Sequence, residues 1–160
     1  MLVVFLSLIM TVNTCVPNRQ TDDPIYVANS QAVCAGLTTG SNLVSIHSEA
    51  ERAFVEQLAA PFAAGYGDDM TGQTWIGLVY NAGTNTWSWL DGTPVDYPAM
   101  PWTTGAGPYP WSSGSPDLMD GCVMMITDPN TTALPPGTWN DVPCTSTQAT
   151  LVCKAPPIFV

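Results

Sequence analysis

The sequence predicts one extracellular domain of short helices and strands, stapled by disulfide bonds and interrupted by a long irregular segment. With 160 residues, the chain is long enough for one domain with a hydrophobic core. It has five cysteines and no Cys-x-x-Cys pair, a pattern that favours disulfides over a zinc ribbon or a thioredoxin-type site. The 15 prolines and 13 glycines indicate that much of the chain is loop.

Charge excludes several classes of partner. Only 10% of the residues are charged, and 3 Lys and Arg stand against 13 Asp and Glu, so the formal net charge is −10. A nucleic-acid-binding protein needs a basic surface, which this composition lacks, and binding to anionic membranes is disfavoured for the same reason. The acidic excess is compatible with a cation-binding surface and equally with solubility alone.

The first residues are predicted to be a targeting segment. Met1–Met10 is an apolar run too short to span a bilayer, and it predicts a secretory signal over residues 1–14, incomplete because no basic residue precedes the run. A buried N-terminal strand is the alternative. Residues 15–23 are expected to form an extension with Cys15, which is the remnant of a truncated cysteine pair, an intermolecular thiol or part of a removed signal. The mature domain is expected to be secreted and not inserted in a membrane, and Asn130 begins an Asn-Thr-Thr glycosylation sequon.

Two helices are predicted in the first half. The first covers residues 26–34 and ends near Gly36. The second begins at Ser48, which forms a Ser-x-x-Glu capping box with Glu51 that satisfies backbone N–H groups at the helix start. Pro61 is expected to end this helix. Its apolar face is expected to consist of Ala50, Phe54, Val55 and Leu58.

Strands surround the irregular segment. Apolar, β-branched and aromatic runs predict them at 43–46, 74–78, 85–89, 122–126 and 149–153. Asp91-Gly92 marks a tight turn. From residue 93 to 120 there is almost no periodicity, and we call these residues the long loop. It is rich in proline and carries four aromatic residues that argue against disorder: Tyr97, Trp102, Tyr109 and Trp111.

The tripeptide Trp139-Asn140-Asp141 is the most informative short motif. Trp139 favours a strand, and the next two residues place an amide oxygen and a carboxylate side by side. Calcium takes oxygen ligands of these two kinds. A simple turn is the alternative, because Asn and Asp are also turn residues.

In this order, the motifs resemble the C-type lectin-like domain. The resemblance covers about residues 24–154, and the agreement of several separate motifs makes it specific. The matching segments are Leu43-Val44-Ser45-Ile46 with Ser48-Glu49-Ala50-Glu51, Trp75-Ile76-Gly77-Leu78, Trp87-Ser88-Trp89 with Asp91-Gly92, Trp139-Asn140-Asp141, and the cysteines Cys34, Cys122, Cys144 and Cys153.

The resemblance implies an α+β fold with two helices, antiparallel sheets and a long irregular loop region. The domain would occupy residues 24–155 and leave a tail at 156–160. The four framework cysteines allow three pairings. The family pattern implies that Cys34 pairs with Cys153 and Cys122 with Cys144.

The resemblance also implies a candidate site. Calcium-binding members hold one Ca²⁺ with a Glu-Pro-Asn or Gln-Pro-Asp triplet, an acidic residue before the third framework cysteine and the Asn-Asp pair, and the same ion binds sugar hydroxyls. The matching metal ligands here are Asp117, Asp120, Asn140 and Asp141, and Ser115 joins them in the carbohydrate site. Ser115 departs from the family pattern because its short hydroxyl replaces a Glu or Gln, which puts calcium binding in doubt. Pro116 is expected to be cis.

Two functions are compatible with this sequence. One is an extracellular carbohydrate-binding module linked to calcium, and the other is a calcium-independent domain that binds a protein or another surface through the long loop. Glycans or a protein ligand are therefore the expected partners. Trp102 and Tyr109 are candidates for stacking on a ligand, whereas Trp111 is expected to pack in the core. An enzyme is not expected, because His47 is the single histidine and no P-loop, dinucleotide fingerprint or His-Glu-x-x-His motif occurs.

Overall fold

The computed structural model describes residues 27–63, 72–130 and 134–156. The predicted secretory signal at 1–14, the extension at 15–23 with Cys15, and nearly all of the tail lie outside the described residues. So do Thr131 and Thr132 of the glycosylation sequon, although Asn130 itself is described and exposed.

Both predicted helices are present. Helix α1 spans Val27–Leu37 and helix α2 spans Glu49–Ala63. The cap of α2 forms as expected on one side, since the Glu51 N–H donates to the Ser48 hydroxyl at 3.2 Å. The Glu51 carboxylate accepts the N–H of His47 at 2.7 Å, one residue earlier than a capping box predicts. Pro61 does not end the helix but lies in its last turn, where a missing backbone N–H disturbs little of the helix.

The buried face of α2 agrees with the expected one at Val55 and Leu58 but differs at Ala50 and Phe54, which are exposed. Arg52, Val55, Ala59 and Ala63 form the buried face, whereas Phe54 is 45% exposed. The expected face was built from hydropathy, which assigns an arginine to the solvent side of a helix. Arg52 is only 6% exposed because carboxylates and a backbone carbonyl surround its guanidinium, as described below.

The strands form two sheets. In chain order they are β1 Asn42–Leu43, β2 Thr74–Asn81, β3 Thr86–Trp89, β4 Cys122–Met125, β5 Trp139–Val142, β6 Thr150–Leu151 and β7 Cys153–Lys154. Strands β1 and β7 pair antiparallel, and the larger sheet has the antiparallel order β3-β2-β4-β5. Strand β6 pairs with the start of β2 in parallel, an exception to the otherwise antiparallel sheets.

Two predicted strands are shorter than expected. The run at 43–46 contributes only the end of β1, and the run at 149–153 is divided at Val152. The backbone of Val44 links the two sheets, because its N–H donates to the Val152 carbonyl and its carbonyl accepts the N–H of Gly77, both at 2.9 Å. A Cβ on Gly77 would lie 2.7 Å from the Leu43 carbonyl oxygen, so this close approach requires glycine.

Two disulfides hold the domain, with the pairing that the family resemblance implied. Cys34 of α1 is bonded to Cys153 of β7, and Cys122 of β4 is bonded to Cys144, just after β5. The first bridge joins the start of the domain to its end. The second fixes the end of the long loop beside β5, which carries Asn140 and Asp141.

The core lies on both faces of β4. Val123 and Met125 belong to one buried cluster, which also contains Trp111 and Trp139, and Met124 belongs to the other. The long loop is therefore attached to the core through Trp111, as expected. Within the described ranges, no helix is long and apolar enough to cross a membrane.

Candidate functional site

Strand β5 places the Asn-Asp pair at one edge of the larger sheet. Asn140 lies opposite Met124, and Asp141 lies opposite Val123. The tripeptide is therefore a strand and not a turn. Trp139 is completely buried, Asn140 is half-buried, and Asp141 is only 4% exposed.

The long loop folds back onto this strand through backbone hydrogen bonds. The Trp139 N–H donates to the Pro110 carbonyl at 2.7 Å, and the Ser112 N–H donates to the Trp139 carbonyl at 2.9 Å. The loop also closes on itself, since the Gly107 N–H donates to the Ser115 carbonyl at 2.9 Å. These bonds fix residues 110–115 beside the Asn-Asp pair.

Tryptophan packing supports the same arrangement. The Trp111 ring centroid lies 5.3 Å from that of Trp87, 5.3 Å from that of Trp102 and 5.9 Å from that of Trp139. Gly107 permits this packing, because a Cβ there would lie 2.6 Å from the Trp111 ring. The loop is thus attached to the domain by a buried aromatic cluster.

Ser115 faces inward. The peptide bond between Ser115 and Pro116 is cis, as the resemblance implied, and Ser115 is only 4% exposed. The Ser115 hydroxyl donates to the Asn140 amide oxygen and accepts from the Ser112 hydroxyl at 3.1 Å. A short serine therefore connects the long loop to Asn140 directly.

Asp141 is held in a similar way. Its carboxylate accepts the N–H of Asp117 at 2.8 Å and the N–H of Leu118 at 3.0 Å. Burial raises the pKa of Asp141 to about 6, against these hydrogen bonds and with a further contribution from the nearby Asp117 carboxylate. Burial, followed by repulsion from Asp117, also raises the pKa of Asp120.

The structure brings four of the five predicted site residues into two contacts, the Ser115 hydroxyl with Asn140 and the Asp117 backbone N–H with the Asp141 carboxylate. The fifth, Asp120, lies close enough to Asp117 for the two carboxylates to repel each other. The side-chain oxygens of Ser115, Asn140 and Asp141 are engaged within the protein, and one carboxylate oxygen of Asp117 accepts the N–H of Met119 at 2.8 Å. Across residues 27–63, 72–130 and 134–156, no three His, Cys, Asp or Glu side chains converge as a metal cage would require.

A second cluster joins α2 to the long loop. Arg52 donates to both oxygens of Glu49 at 2.8–2.9 Å, to Glu56 at 2.7 Å and to the Gly137 carbonyl at 3.2 Å. Its guanidinium lies 5.4 Å from the centroid of the Tyr109 ring. These contacts hold Tyr109 against the helix and connect α2 to the turn that precedes β5.

Two tyrosine hydroxyls meet at Glu49 in this cluster. The Tyr97 hydroxyl donates to one carboxylate oxygen at 2.5 Å, and the Tyr109 hydroxyl lies 3.4 Å from the other. Hydrogen bonds from Arg52 lower the pKa of Glu49, and burial, followed by the hydrogen bond to Glu49, raises the pKa of Tyr97. The charged form of Glu49 is thus favoured.

Sequence reasoning missed this second cluster. The spacing of Glu49, Arg52 and Glu56 is typical of ion pairs along one side of a helix, and it could have indicated the part of the cluster within α2. The contacts to the tyrosines join residues far apart in sequence, and no local pattern indicates them. The neighbouring His47 has its Nδ1 2.7 Å from an Asp96 carboxylate oxygen.

Comparisons with known proteins agree with this architecture. The family model for the lectin C-type domain matches residues 24–155. Echinoidin from Heliocidaris crassispina is 34% identical over 115 residues, a match that covers 72% of this chain and 67% of echinoidin.

Solved structures with a similar fold support the same family assignment. Human lithostathine superposes with a TM-score of 0.57 at 29% identity, covering 84% of this chain and 87% of that chain. A calcium-independent type II antifreeze protein superposes with a TM-score of 0.53 at 27% identity, covering 82% of this chain and 80% of that chain. The family and these relatives are non-enzymatic binding proteins, so this chain is not an enzyme, which confirms the expectation from its motifs. The chain belongs to the C-type lectin domain family and has its α+β fold.

Proposed function

We propose that this chain is an extracellular binding domain that contacts its ligand through the long loop without calcium. The observation that carries this proposal is the set of hydrogen bonds around the candidate metal ligands. The Ser115 hydroxyl engages the Asn140 amide oxygen, and backbone N–H groups of the long loop engage the Asp141 carboxylate. Protein groups thus hold the loop to β5, the task that a bound cation would otherwise perform.

The long loop offers a suitable contact surface. Residues 97–116 contain no charged side chain, and three large apolar side chains of the long loop are exposed: Met100, Tyr109 and Met119. The backbone hydrogen bonds and the Trp111 packing already order the loop, so binding a ligand costs less conformational entropy. The similarity to a calcium-independent type II antifreeze protein supports the view that this fold functions without the ion.

The same reasoning supports a secreted protein. Two disulfides in one small domain are typical of an oxidising, extracellular compartment. The apolar first residues add to this argument as a sequence-based prediction. A glycan or a protein is the expected ligand in that compartment.

Thermal unfolding tests the calcium independence. A cation that binds only the native state raises the unfolding temperature by mass action. We expect the same unfolding temperature in EDTA and in millimolar calcium chloride, with no heat of calcium binding by calorimetry. A rise with calcium that Asp120→Asn abolishes would overturn the proposal. Asp120 is a useful position because its substitution by asparagine removes a carboxylate while keeping the size of the side chain.

A calcium-linked carbohydrate site is the second candidate. The observation in its favour is that the long loop and β5 bring the Asp117 backbone to the Asp141 carboxylate and place Ser115 beside Asn140. The site would use Asp117, Asp120, Asn140 and Asp141, and Ser115 would mark its missing ligand.

Variants at Ser115 discriminate between the two candidates. For a site that is one ligand short, Ser115→Glu should strengthen calcium binding and Ser115→Gln should strengthen it less, because calcium affinity depends on the charge and number of ligands. Equal and negligible calcium binding by the wild type and both variants is the outcome expected for the calcium-independent domain.

A further inference from the structure

The outer side of helix α1 carries apolar side chains, while polar ones face the domain. Ser30 is completely buried, and the half-buried Gln31 accepts the Leu43 N–H at 2.9 Å. Val33 and Leu37, four positions apart and therefore neighbours on the helix surface, are each 41% exposed. Helices at a protein surface normally have the opposite arrangement, with the apolar residues towards the core. We call Val33 and Leu37 the α1 strip, which is partly open in the described part of the chain.

The end of the described chain is directed towards this strip. Strands β1 and β7 pair antiparallel, with Asn42 opposite Lys154. Two residues further along, a Cβ built on Gly40 would lie 2.9 Å from Cγ of Pro156, so the proline ring packs on the Gly40 backbone. Gly40 comes soon after Leu37, the last residue of α1. The chain beyond Pro156 therefore starts beside the C-terminal end of α1.

The four residues that follow Pro156 in the sequence match the strip in chemistry and in length. They lie outside the described residues, and all are apolar: Pro157, Ile158, Phe159 and Val160. Each of the two consecutive prolines biases the residue before it towards extended backbone. Four extended residues span at most about 13 Å, whereas Val33 is only about 6 Å from Leu37 along the helix axis. The segment is thus long enough to reach both residues of the strip.

We propose that residues 157–160 dock on the α1 strip, with the Phe159 side chain on Leu37. Phe159 follows Lys154 by as many residues as Leu37 precedes Asn42, so the antiparallel register of β1 and β7, continued outward, brings the two to the same level. The docked segment removes apolar surface from water. It buries no charged side chain, because neither α1 nor residues 157–160 contain one. This surface is separate from the long loop and does not depend on the proposed function.

Urea unfolding of a double-mutant cycle tests the docking. Phe159→Ser removes the ring from the segment and should raise the equilibrium constant for unfolding about fivefold to thirtyfold. Leu37→Lys removes the apolar contact from the strip. Lysine is suitable because a positive charge is favourable near the C-terminus of a helix, so a loss of stability reports the lost contact. In the Leu37→Lys background, Phe159→Ser should change the constant by less than about twofold, since its contact is already absent.

Thr39→Lys is the matched control, because Thr39 is exposed just beyond α1 and the substitution adds the same charge. It should leave the response to Phe159→Ser unchanged. Nuclear Overhauser contacts between the Phe159 ring and the Leu37 methyl groups should be present in the wild-type domain. Additive effects of Leu37→Lys and Phe159→Ser, or no effect of Phe159→Ser on the wild type, would overturn the proposal.

Two other occupants of the strip give different results. Self-association in sedimentation velocity that Leu37→Lys abolishes and Phe159→Ser leaves intact would assign the strip to a second copy of the chain. A strip that binds another protein would leave Phe159 without Overhauser contacts to α1 and with no coupling to Leu37. Either result would overturn the docking of residues 157–160.

Discussion

Replacement of Arg52 by methionine is the sharpest test of the contacts between α2 and the long loop. Methionine keeps a long, flexible and helix-compatible side chain but removes every hydrogen bond that the guanidinium donates. The change leaves the Gly137 carbonyl without this donor and separates Tyr109 from its cation. Glu49 and Glu56 lose their ion-pair partner at the same time.

The expected loss of stability is roughly 1–5 kcal/mol. A buried carbonyl that loses its partner costs about 1–3 kcal/mol. Each ion pair adds about 0–1 kcal/mol, since Glu49 is 54% exposed and Glu56 is 27% exposed, so both carboxylates can regain water. Arg52→Lys should cost less than methionine, because it keeps the charge but cannot donate to all of these acceptors.

Urea unfolding of the oxidised domain measures these differences as shifts in the transition midpoint. Gln57→Met is the matched control, because Gln57 is exposed on the same helix and the substitution places the same side chain there. We expect the control to change stability by less than about 0.5 kcal/mol. An Arg52→Met variant as stable as the control would refute the assignment of Arg52 as a structural link between α2 and the long loop.

Three further outcomes follow from the structure. Gly107→Ala should lower the free energy of unfolding by about 1–3 kcal/mol through overpacking, whereas Gly36→Ala in α1, with nothing near its Cβ position, should be neutral or stabilising in the same urea experiment. The pKa of Glu49 is lowered in the folded protein, so its charge stabilises the fold above its unfolded pKa of about 4.3. This stabilisation is lost as the pH falls through the folded pKa. Urea titrations at decreasing pH should therefore show a smaller loss of stability for Glu49→Gln than for the wild type. Replacing Cys122 and Cys144 together by alanine should cost about 3 kcal/mol, because the bridge closes a loop with a sequence separation of 22, and unchanged urea stability would contradict this value.

The order of elements could be predicted from the sequence, because it depends on local patterns. The Ser48 cap, the apolar strand at residues 122–126 and the turn at Gly92 each act within a few residues, and each is present in the structure. Elements that depend on distant partners were predicted less well. Pro61 was expected to end α2 although the helix continues to Ala63, and the buried face of the helix was assigned without a charged residue.

Arg52 shows why hydropathy fails at such a position. An arginine is buried only where acceptors surround it, and those acceptors come from two places in the chain, the same helix and Gly137. The first kind of partner is visible in the spacing of Glu49 and Glu56. The second is not, since it is 85 residues away in sequence and depends on how β5 is attached to the core.

The contacts within the candidate metal site also could not be predicted from local sequence patterns. The family resemblance implied a site made of Ser115, Asp117, Asp120, Asn140 and Asp141. In the structure the Ser115 hydroxyl contacts Asn140, the Asp117 backbone N–H contacts the Asp141 carboxylate, and the Asp120 carboxylate is repelled by that of Asp117. Motifs specify residue types, but whether an oxygen faces a cation or a donor of the protein depends on a few tenths of a nanometre of side-chain length. The short Ser115 side chain donates its hydroxyl directly to the Asn140 amide oxygen. The hydrogen bond between Ser115 and Asn140 anchors the long loop to β5, and it joins residues 25 positions apart in sequence, which no local pattern indicates.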